Sequence, residues 1–334
     1  MAHIKLRHIV GAMPHGQRLR KRNGRLLKPV KPSYKVELWY KQQLLAVVDH
    51  LRQIAREELL PDLRNMEPLY AKATDGLVRD RAAYSPVVSD MIEKMKRRVG
   101  GIEGVSKRLA EAATNRSLLE TDERLKASIK ASVKIDISGF LSRHGPIQIV
   151  TEAAVKANTA LIRSIPEQYF EKLDDALSKN MERGMRYEDL AKEVERIGDV
   201  TESRAKLIAR DQTSKLNGAM TQIRQLSLGI EEYDWQTAGD ELVREEHADN
   251  DGKTFKWSDP PKTGHPGEDV NCRCVAIPRL NLDDPSFDLS EGEIQQLGVP
   301  SSSNTMAAMA AAAAISTMFA ERTPRGRNND QEND

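Results

Sequence analysis

Cysteine and aromatic residues are scarce in this chain of 334 residues. It has two cysteines, Cys272 and Cys274, and only 4% of its residues are aromatic. A secreted disulfide scaffold needs more cysteines spread along the chain, so a reducing compartment is expected. The small aromatic fraction disfavours a dense β-sandwich core and favours a helix-rich chain.

Acidic residues are absent from residues 1–36. This segment contains ten Lys and Arg side chains, whereas the whole chain has a formal net charge of +1, so 1 − 10 leaves −9 for residues 37–334. A basic arm on an acidic body predicts contact with nucleic acid or another acidic surface, with a merely solubilising extension as the alternative. The residues expected to make the contacts are Arg18, Arg20, Lys21, Arg22, Arg25, Lys28 and Lys31.

Long apolar runs are also missing. The Ala/Met-rich segment 306–319 has 14 residues, whereas a membrane-spanning helix needs about 20 apolar residues. No membrane partner is therefore expected, and this segment is predicted to be a helix that packs against a partner or against its own copies. No signal-peptide pattern is found near the N-terminus.

The periodicity of the apolar residues predicts a mostly α fold with a small C-terminal α+β module and an extended helical N-terminal region. Residues 1–36 are expected to be a disordered basic arm, and 37–186 a helical region that binds partners. Residues 187–280 are expected to form the α+β module. Residues 281–334 combine a linker, the Ala/Met-rich helix and a polar tail.

Local signals predict where the helices begin and end. Pro61 is expected to end the first helix, which starts near Val36, and Thr201 to cap a helix that ends before Gly229. The predicted helices cover residues 36–60, 86–113, 117–134, 146–163, 166–183, 187–197 and 201–228.

The last of these helices carries polar residues on its apolar face. Gln212 lies on that face with Asp211 beside it and Arg210 before them. A polar side chain on a buried stripe needs a partner, so we expect Gln212 to dock against a polar group. The alternative is a stripe edge that remains in contact with water.

Shorter elements follow this helix. Alternation around Tyr233 and Trp235 predicts a strand at 232–236, and a second strand is expected at 254–257. Residues 250–252 give a turn signal, and 272–278 a β-rich stretch. A short helix over 238–247 would present Asp240, Arg244 and His247 on one face, with Asp240 paired to Arg244.

Both cysteines and two histidines lie within 28 residues, from His247 to Cys274. Two thiolates and two imidazoles can complete a tetrahedral zinc shell, so one structural zinc held by His247, His265, Cys272 and Cys274 is one hypothesis. Buried reduced cysteines and hydrogen-bonded histidines packing a small core are the second, and a catalytic metal is the third. A Cys272–Cys274 disulfide is disfavoured, because one intervening residue gives strained geometry.

An ordered set of short motifs resembles the phage Mu F-like head morphogenesis family of minor capsid proteins. The motifs are Leu190–Lys192, Ser203–Thr213, Asn217, Trp235–Asp240, Arg244–His247, Asp251–Phe255 and Asn271–Val275. Two departures occur, Leu242 where the family often has Arg and a lengthened stretch from Lys256 to Asp269. The resemblance spans roughly residues 187–278 and does not cover residues 1–186.

The resemblance implies a virion protein present in few copies in the capsid interior near the portal, and in the host cytoplasm during assembly. Its expected partners are the portal protein, a scaffold or major capsid protein, and packaged DNA through the basic arm. It implies a role in head assembly, DNA packaging or ejection, without catalysis. The family's motif positions correspond to Trp235, Asp240, Arg244, His247, Gly252, Cys272 and Cys274.

An alternative is a DNA-binding or nuclease-like Cys/His protein that acts on phage DNA. His247 and His265 would then serve as a general base and a metal ligand, with Asn271 assisting. The chain has no second cysteine pair to build a supporting zinc knuckle, which disfavours the nuclease.

Overall fold

The computed structural model describes residues 27–70, 85–133, 137–138, 141, 145–279 and 302–321. Within these residues the chain is mainly helical, with one small antiparallel sheet, as the sequence predicted. The helices are α1 (Tyr34–Ile54), α2 (Leu60–Tyr70), α3 (Ser85–Val99), α4 (Ile102–Val133), α5 (Pro146–Glu182), α6 (Tyr187–Ser227), α7 (Glu245–Ala248) and α8 (Ser302–Glu321). The strands are β1 (Glu232–Gln236), β2 (Thr254–Lys256) and β3 (Val275–Arg279).

The chain divides into two compact units that do not follow the linear order of the sequence. The sheet unit comprises Met1–Glu37, Glu111–Ala157 and Arg210–Asp334. The helical unit comprises Leu38–Ala110 and Asn158–Ala209. Each unit therefore combines segments that lie far apart in sequence.

Proline does not end the helices as predicted. Leu60 N–H donates to Ala55 O across a π turn, Ala55–Leu59, and α2 then runs on through Pro61. A π turn lengthens the spacing between hydrogen-bonded residues in a helix. This spacing lets the helix continue through Pro61, which has no N–H to donate. Pro166 likewise lies inside α5, so the two helices predicted at 146–163 and 166–183 are one.

The predicted cap at Thr201 is also wrong, because α6 runs without a break from Tyr187 to Ser227. The Thr201 hydroxyl donates to Ile197 O within the helix, at 2.8 Å. Apolar residues on both sides of Thr201 are buried, which stabilises one continuous helix. The predicted C-terminal end is confirmed: Gly229 has φ 73°, and Ile230 N–H donates to Gln225 O.

The predicted junction near residue 114 lies elsewhere. α3 ends at Val99 and α4 begins at Ile102, with Gly100 and Gly101 between them. Both glycines have positive φ, 40° and 44°, a region that side chains other than glycine rarely enter. The boundary between the helices predicted at 86–113 and 117–134 therefore lies at Gly100 and Gly101, not near residue 114.

β1 is the central strand of the sheet, in the order β2-β1-β3. It pairs Tyr233 with Phe255 and Trp235 with Ala276, both antiparallel. Tyr233 and Trp235 are fully buried. The sheet rests on the C-terminal part of α6 within one apolar cluster.

α8 completes this core. Its buried residues are Ala308, Ala312, Ile315 and Phe319, which belong to the same cluster as Trp235 and Trp257. The sequence predicted that this helix packs against a partner or a second copy, whereas it packs against the core of its own chain. The small Ala side chains allow close approach of the helix to the core.

The last part of the predicted basic arm is ordered. Leu27 and Val30 are buried, and the Lys28 backbone exchanges two hydrogen bonds with the Ser128 hydroxyl, at 2.9 and 3.0 Å. Asn217 donates to Val30 O at 2.8 Å, and Arg124 donates to Lys31 O at 2.9 Å. The prediction of a disordered arm up to residue 36 is therefore wrong for residues 27–36, because these contacts bind residues 28–31 to α4 and α6 and α1 already begins at Tyr34.

Candidate metal centre

Three potential metal ligands meet beside the sheet. His247 lies on α7, and Cys272 and Cys274 lie in the loop that leads into β3. His247 Nδ1 is 3.6 Å from Cys272 Sγ and 3.5 Å from Cys274 Sγ. The three donor atoms lie within 4.8 Å of one another. Two thiols and an imidazole form a donor set that zinc accepts.

The backbone before the cysteines has an unusual conformation. Asn271 has φ 59°, the left-handed region, directly before Cys272. Both cysteines precede β3, which begins at Val275, so they do not follow the regular alternation of a strand. Gly267 N–H donates to Cys272 Sγ at 3.4 Å, and this bond helps to fix the position of the thiol.

Asp269 orients the histidine. Its Oδ2 lies 3.0 Å from His247 Nε2 and 3.7 Å from Arg244 Nη1. Arg244 also donates to Val270 O at 2.8 Å. Because Asp269 accepts a hydrogen bond from Nε2–H, the lone pair of His247 remains on Nδ1, which faces the two sulfurs.

The cluster is closed to solvent. His247 is 3% exposed, Cys272 3% and Cys274 5%. The Trp235 ring packs edge-to-face against the His247 ring, with their centroids 5.4 Å apart. The cluster is therefore buried, so the charge on any member depends strongly on its neighbours.

The two thiols titrate as a pair. A hydrogen bond with Cys274 lowers the pKa of Cys272 to about 6, although burial acts in the opposite direction. The hydrogen bond with Cys272 and burial raise the pKa of Cys274 well above its usual value, while the Trp235 indole lowers it. One sulfur therefore gives up its proton far more readily than the other.

His265 does not belong to this cluster, so the four-ligand set predicted from the sequence is wrong in this member. Its Nδ1 lies 2.9 Å from the Tyr233 hydroxyl, and its ring packs against Trp257 with centroids 4.8 Å apart. Burial lowers the pKa of His265 to about 4. His265 is therefore a neutral core residue that contacts Tyr233 and Trp257, whereas His247 contacts Trp235.

Polar residues of α6 hold the cysteine loop. Asp211 Oδ1 accepts from Asn271 N–H at 2.6 Å, and its Oδ2 accepts from Lys215 Nζ at 2.8 Å. The Ser214 hydroxyl donates to Cys272 O. The bond between Asp211 and Asn271 and the bond between Ser214 and Cys272 join α6 to the loop that carries the cysteines.

Gln212 was predicted to make the docking contact, but its amide donates to Asp211 at 2.9 Å within the helix. The docking residues are instead Asp211, which the sequence placed beside it, and Ser214, which the sequence did not indicate. A serine inside a helix gives no distinctive signal. Arg210 precedes these residues on α6 and is half-buried. Its Nε has no hydrogen-bond partner among the described residues.

The helix predicted over 238–247 is shorter than expected, because α7 begins at Glu245. Asp240 therefore does not share a helix face with Arg244 and His247. Asp240 pairs with Arg273, the residue between the two cysteines, and accepts from Leu242 N–H at 3.1 Å. The turn at Gly252 is confirmed, with φ 75° and a hydrogen bond from its N–H to Trp235 O at 2.8 Å.

Of the basic residues expected to contact nucleic acid, the structure describes two. Lys28 and Lys31 are exposed, on the ordered segment that precedes α1. The others lie outside the described residues: Arg18, Arg20, Lys21, Arg22 and Arg25.

Comparison with known proteins agrees with the resemblance seen in the motifs. Residues 171–277 match the model of the family described as Phage Mu protein F like protein. The matched region includes the whole of the cluster, Asp269 and the polar segment of α6. The predicted family is confirmed for this region, and it indicates a phage head morphogenesis protein.

One relative is an uncharacterized protein of Haemophilus influenzae. It is 34% identical over 270 residues, which cover 80% of this chain and 59% of the relative. The chain thus spans less than two thirds of the relative's length. No solved structure matches the chain significantly.

Proposed function

We propose that this chain, a phage Mu F-like protein over residues 171–277, is a minor head protein of a tailed phage that binds the portal inside the procapsid. It is present in few copies and assists head assembly, DNA packaging or ejection. The family match carries this proposal. It covers the region in which the structure brings together α6, the sheet and the Cys/His cluster.

Burial of the cluster supports a scaffold role. A general base must reach the proton that it removes from a substrate, whereas His247 is only 3% exposed and is enclosed by Trp235 and the two cysteines. The contacts of the cluster also favour a structural role, because they join α7, the cysteine loop and α6. This favours the assembly protein over the nuclease-like alternative.

The basic segment supports a contact with packaged DNA. Lys28 and Lys31 are exposed, and the backbone around them is bound to Ser128, Arg124 and Asn217. The positive charge is thereby fixed to the sheet unit. Attraction to the phosphate backbone would give binding without sequence preference that weakens with salt.

The capsid interior near the portal is the proposed location, with the host cytoplasm during assembly. Scaffold or major capsid protein is a further expected partner. Among the described residues, no helix combines the length and apolar character needed to cross a membrane.

The portal proposal is tested by tagging the chain in cells that assemble the phage. We expect the portal to copurify with the tagged chain from procapsids, and cross-links to join the two proteins. The same tag on the major capsid protein controls for capture of whole shells. A chain that is absent from purified heads, or that copurifies equally with both proteins after the shell is dissociated, contradicts portal binding.

A further inference from the structure

We propose that His247 Nδ1, Cys272 Sγ and Cys274 Sγ bind one structural zinc ion, with a fourth ligand that is not His265. This inference goes beyond the assembly function, and it stands on the geometry of the cluster alone.

The two distances from His247 Nδ1 to the cysteine sulfurs fit a tetrahedral zinc shell. Zinc binds sulfur at about 2.3 Å and imidazole nitrogen at about 2.0–2.1 Å, so a tetrahedral angle separates the two donors by about 3.6 Å. The observed distances from His247 Nδ1 are 3.6 Å to Cys272 Sγ and 3.5 Å to Cys274 Sγ. Both edges therefore have the length that a shared ion requires.

A simple hydrogen-bonded core explains this arrangement less well. A neutral imidazole nitrogen that accepts has one lone pair, so it takes one S–H donor. The hydrogen bond between the two thiols accounts for the second proton, but it does not explain why both sulfurs lie at nearly equal distances from Nδ1. Three donor atoms within 4.8 Å of one another are the arrangement of a coordination site. The chemistry is also suitable, since thiolate and imidazole are the ligands of structural zinc.

The surroundings of the ligands match those of a metal site. Asp269 accepts from His247 Nε2–H at 3.0 Å, which fixes the ring orientation and the tautomer, as carboxylates do behind zinc-binding histidines. Gly267 N–H donates to Cys272 Sγ, and such a bond stabilises a thiolate. The Trp235 ring covers the histidine from the sheet side.

The ion would have a clear structural task. α7 has four residues, and a helix of one turn is not stable by itself in water. The loop from Ser258 to Cys274 contains no helix or extended strand. A zinc ion would join this loop to α7, so that its binding energy contributes directly to folding.

The test uses the untagged full-length chain, purified under reducing conditions without chelator. We expect elemental mass spectrometry to find close to one zinc per chain. After exchange for Co²⁺, we expect visible absorption bands of a tetrahedral site and sulfur-to-metal charge transfer. Cys272→Ser, Cys274→Ser and His247→Ala should each lose the stoichiometric metal.

Two further variants keep the test decisive if the cysteine variants fold poorly. His265→Ala is the matched control and should retain one zinc, because His265 bonds to Tyr233 instead. Asp269→Asn should retain the ion with a roughly 10–100-fold weaker affinity in chelator competition, with an unchanged circular dichroism spectrum when metal is in excess.

The proposal is overturned if reduced protein supplemented with zinc binds well below one ion per chain, or if His247→Ala retains a full complement. Loss of the metal in His265→Ala, in protein with native circular dichroism, would also overturn the three-residue assignment. Metal-free protein that still copurifies with the portal would reject the zinc site and leave the assembly function standing. Zinc-loaded protein that does not bind the portal would support the zinc site and contradict the proposed assembly function.

Discussion

The two units of this protein use charged residues in different ways. In the helical unit, Arg56 and Glu195 form an ion pair whose side chains are 58% and 43% exposed. In the sheet unit, Arg224 and Asp122 form a pair whose side chains are 2% and 11% exposed. A surface ion pair contributes little to the free energy of unfolding. Removal of either partner of a buried pair destabilises the fold strongly, because it leaves the other charge buried without a partner.

The difference indicates how each unit is specified. The helical unit is held by apolar stripes such as Leu44, Val48 and Leu51 on α1, which many residues of similar size could replace. The sheet unit also depends on particular polar partners that must meet across long sequence separations. Asn217 and Val30, for example, are 187 residues apart in the chain. We expect the sheet unit to tolerate substitution less well.

The largest expected effect is at the buried pair. Asp122→Ala removes the carboxylate that accepts two hydrogen bonds from Arg224, each 2.8 Å long, and leaves a guanidinium charge in the interior. The free energy of unfolding of the sheet unit should fall by about 3–5 kcal/mol. Hydrogen exchange followed by mass spectrometry can measure each unit separately. Glu195→Ala is the matched control, with a loss of about 1 kcal/mol or less. Equal losses in the two variants would remove the contrast between the units.

A pH dependence of the sheet unit comes next. Burial lowers the pKa of His265 to about 4, whereas a histidine in an unfolded chain titrates near about 6.5. The unfolded state therefore binds the proton first, so His265's contribution is complete above about pH 6.5 and is lost as the pH falls toward 4. The loss reaches up to about 3 kcal/mol.

This dependence is measured by denaturant unfolding between pH 7 and 4 in the wild type and in His265→Gln. The variant keeps the Cys/His cluster but cannot take up the proton, so the difference between the two curves isolates His265. Parallel curves would show that His265 contributes no pH dependence in this range and would contradict the prediction.

The smallest effect concerns glycines in two long helices. An added Cβ at Gly218 would lie 2.6 Å from Pro266 O, which is backbone and cannot move freely. At Gly104 the nearest atom, 3.4 Å away, is the end of the flexible Arg108 side chain. Gly218→Ala should destabilise the sheet unit by about 1–3 kcal/mol, and Gly104→Ala should stabilise α4 by up to about 1 kcal/mol.

Thermal unfolding of the two glycine variants gives a direct comparison, because the same substitution is expected to change the melting temperature in opposite directions. An increase in both variants would mean that α6 does not approach the 266–267 loop as closely as the structure indicates. The contrast between the two units would then rest on their charged pairs.

The amino-acid sequence predicts the elements whose signals are local. The strand Glu232–Gln236 and the helix end before Gly229 are confirmed, because alternation and a glycine in the left-handed region depend only on neighbouring residues. Helix continuity at Pro61, Pro166 and Thr201 was not predictable in this way. At Pro166, the buried stripe from Leu161 to Leu173 outweighs a cost of about 3 kcal/mol for an internal proline.

The candidate site shows the same division. Composition and spacing identified His247, Cys272 and Cys274, but they also included His265, which lies only seven residues before Cys272 in the chain. Nearness in sequence does not decide which way a side chain points in a loop. Tyr233 and Trp257 hold His265 in the aromatic core, while Asp269, which sequence reasoning did not single out, supports His247.

The amino-acid sequence by itself determined the helical character of the chain, its family resemblance, the basic N-terminal charge and the residue types of the cluster. These follow from composition, periodicity and motif order, which need no knowledge of distant contacts. Only the tertiary structure decided which ligands converge, that α8 packs on its own chain, and that residues 27–33 are bound to α4 and α6. Each of these depends on pairs of residues far apart in sequence, whose meeting is fixed by burial of the core as a whole.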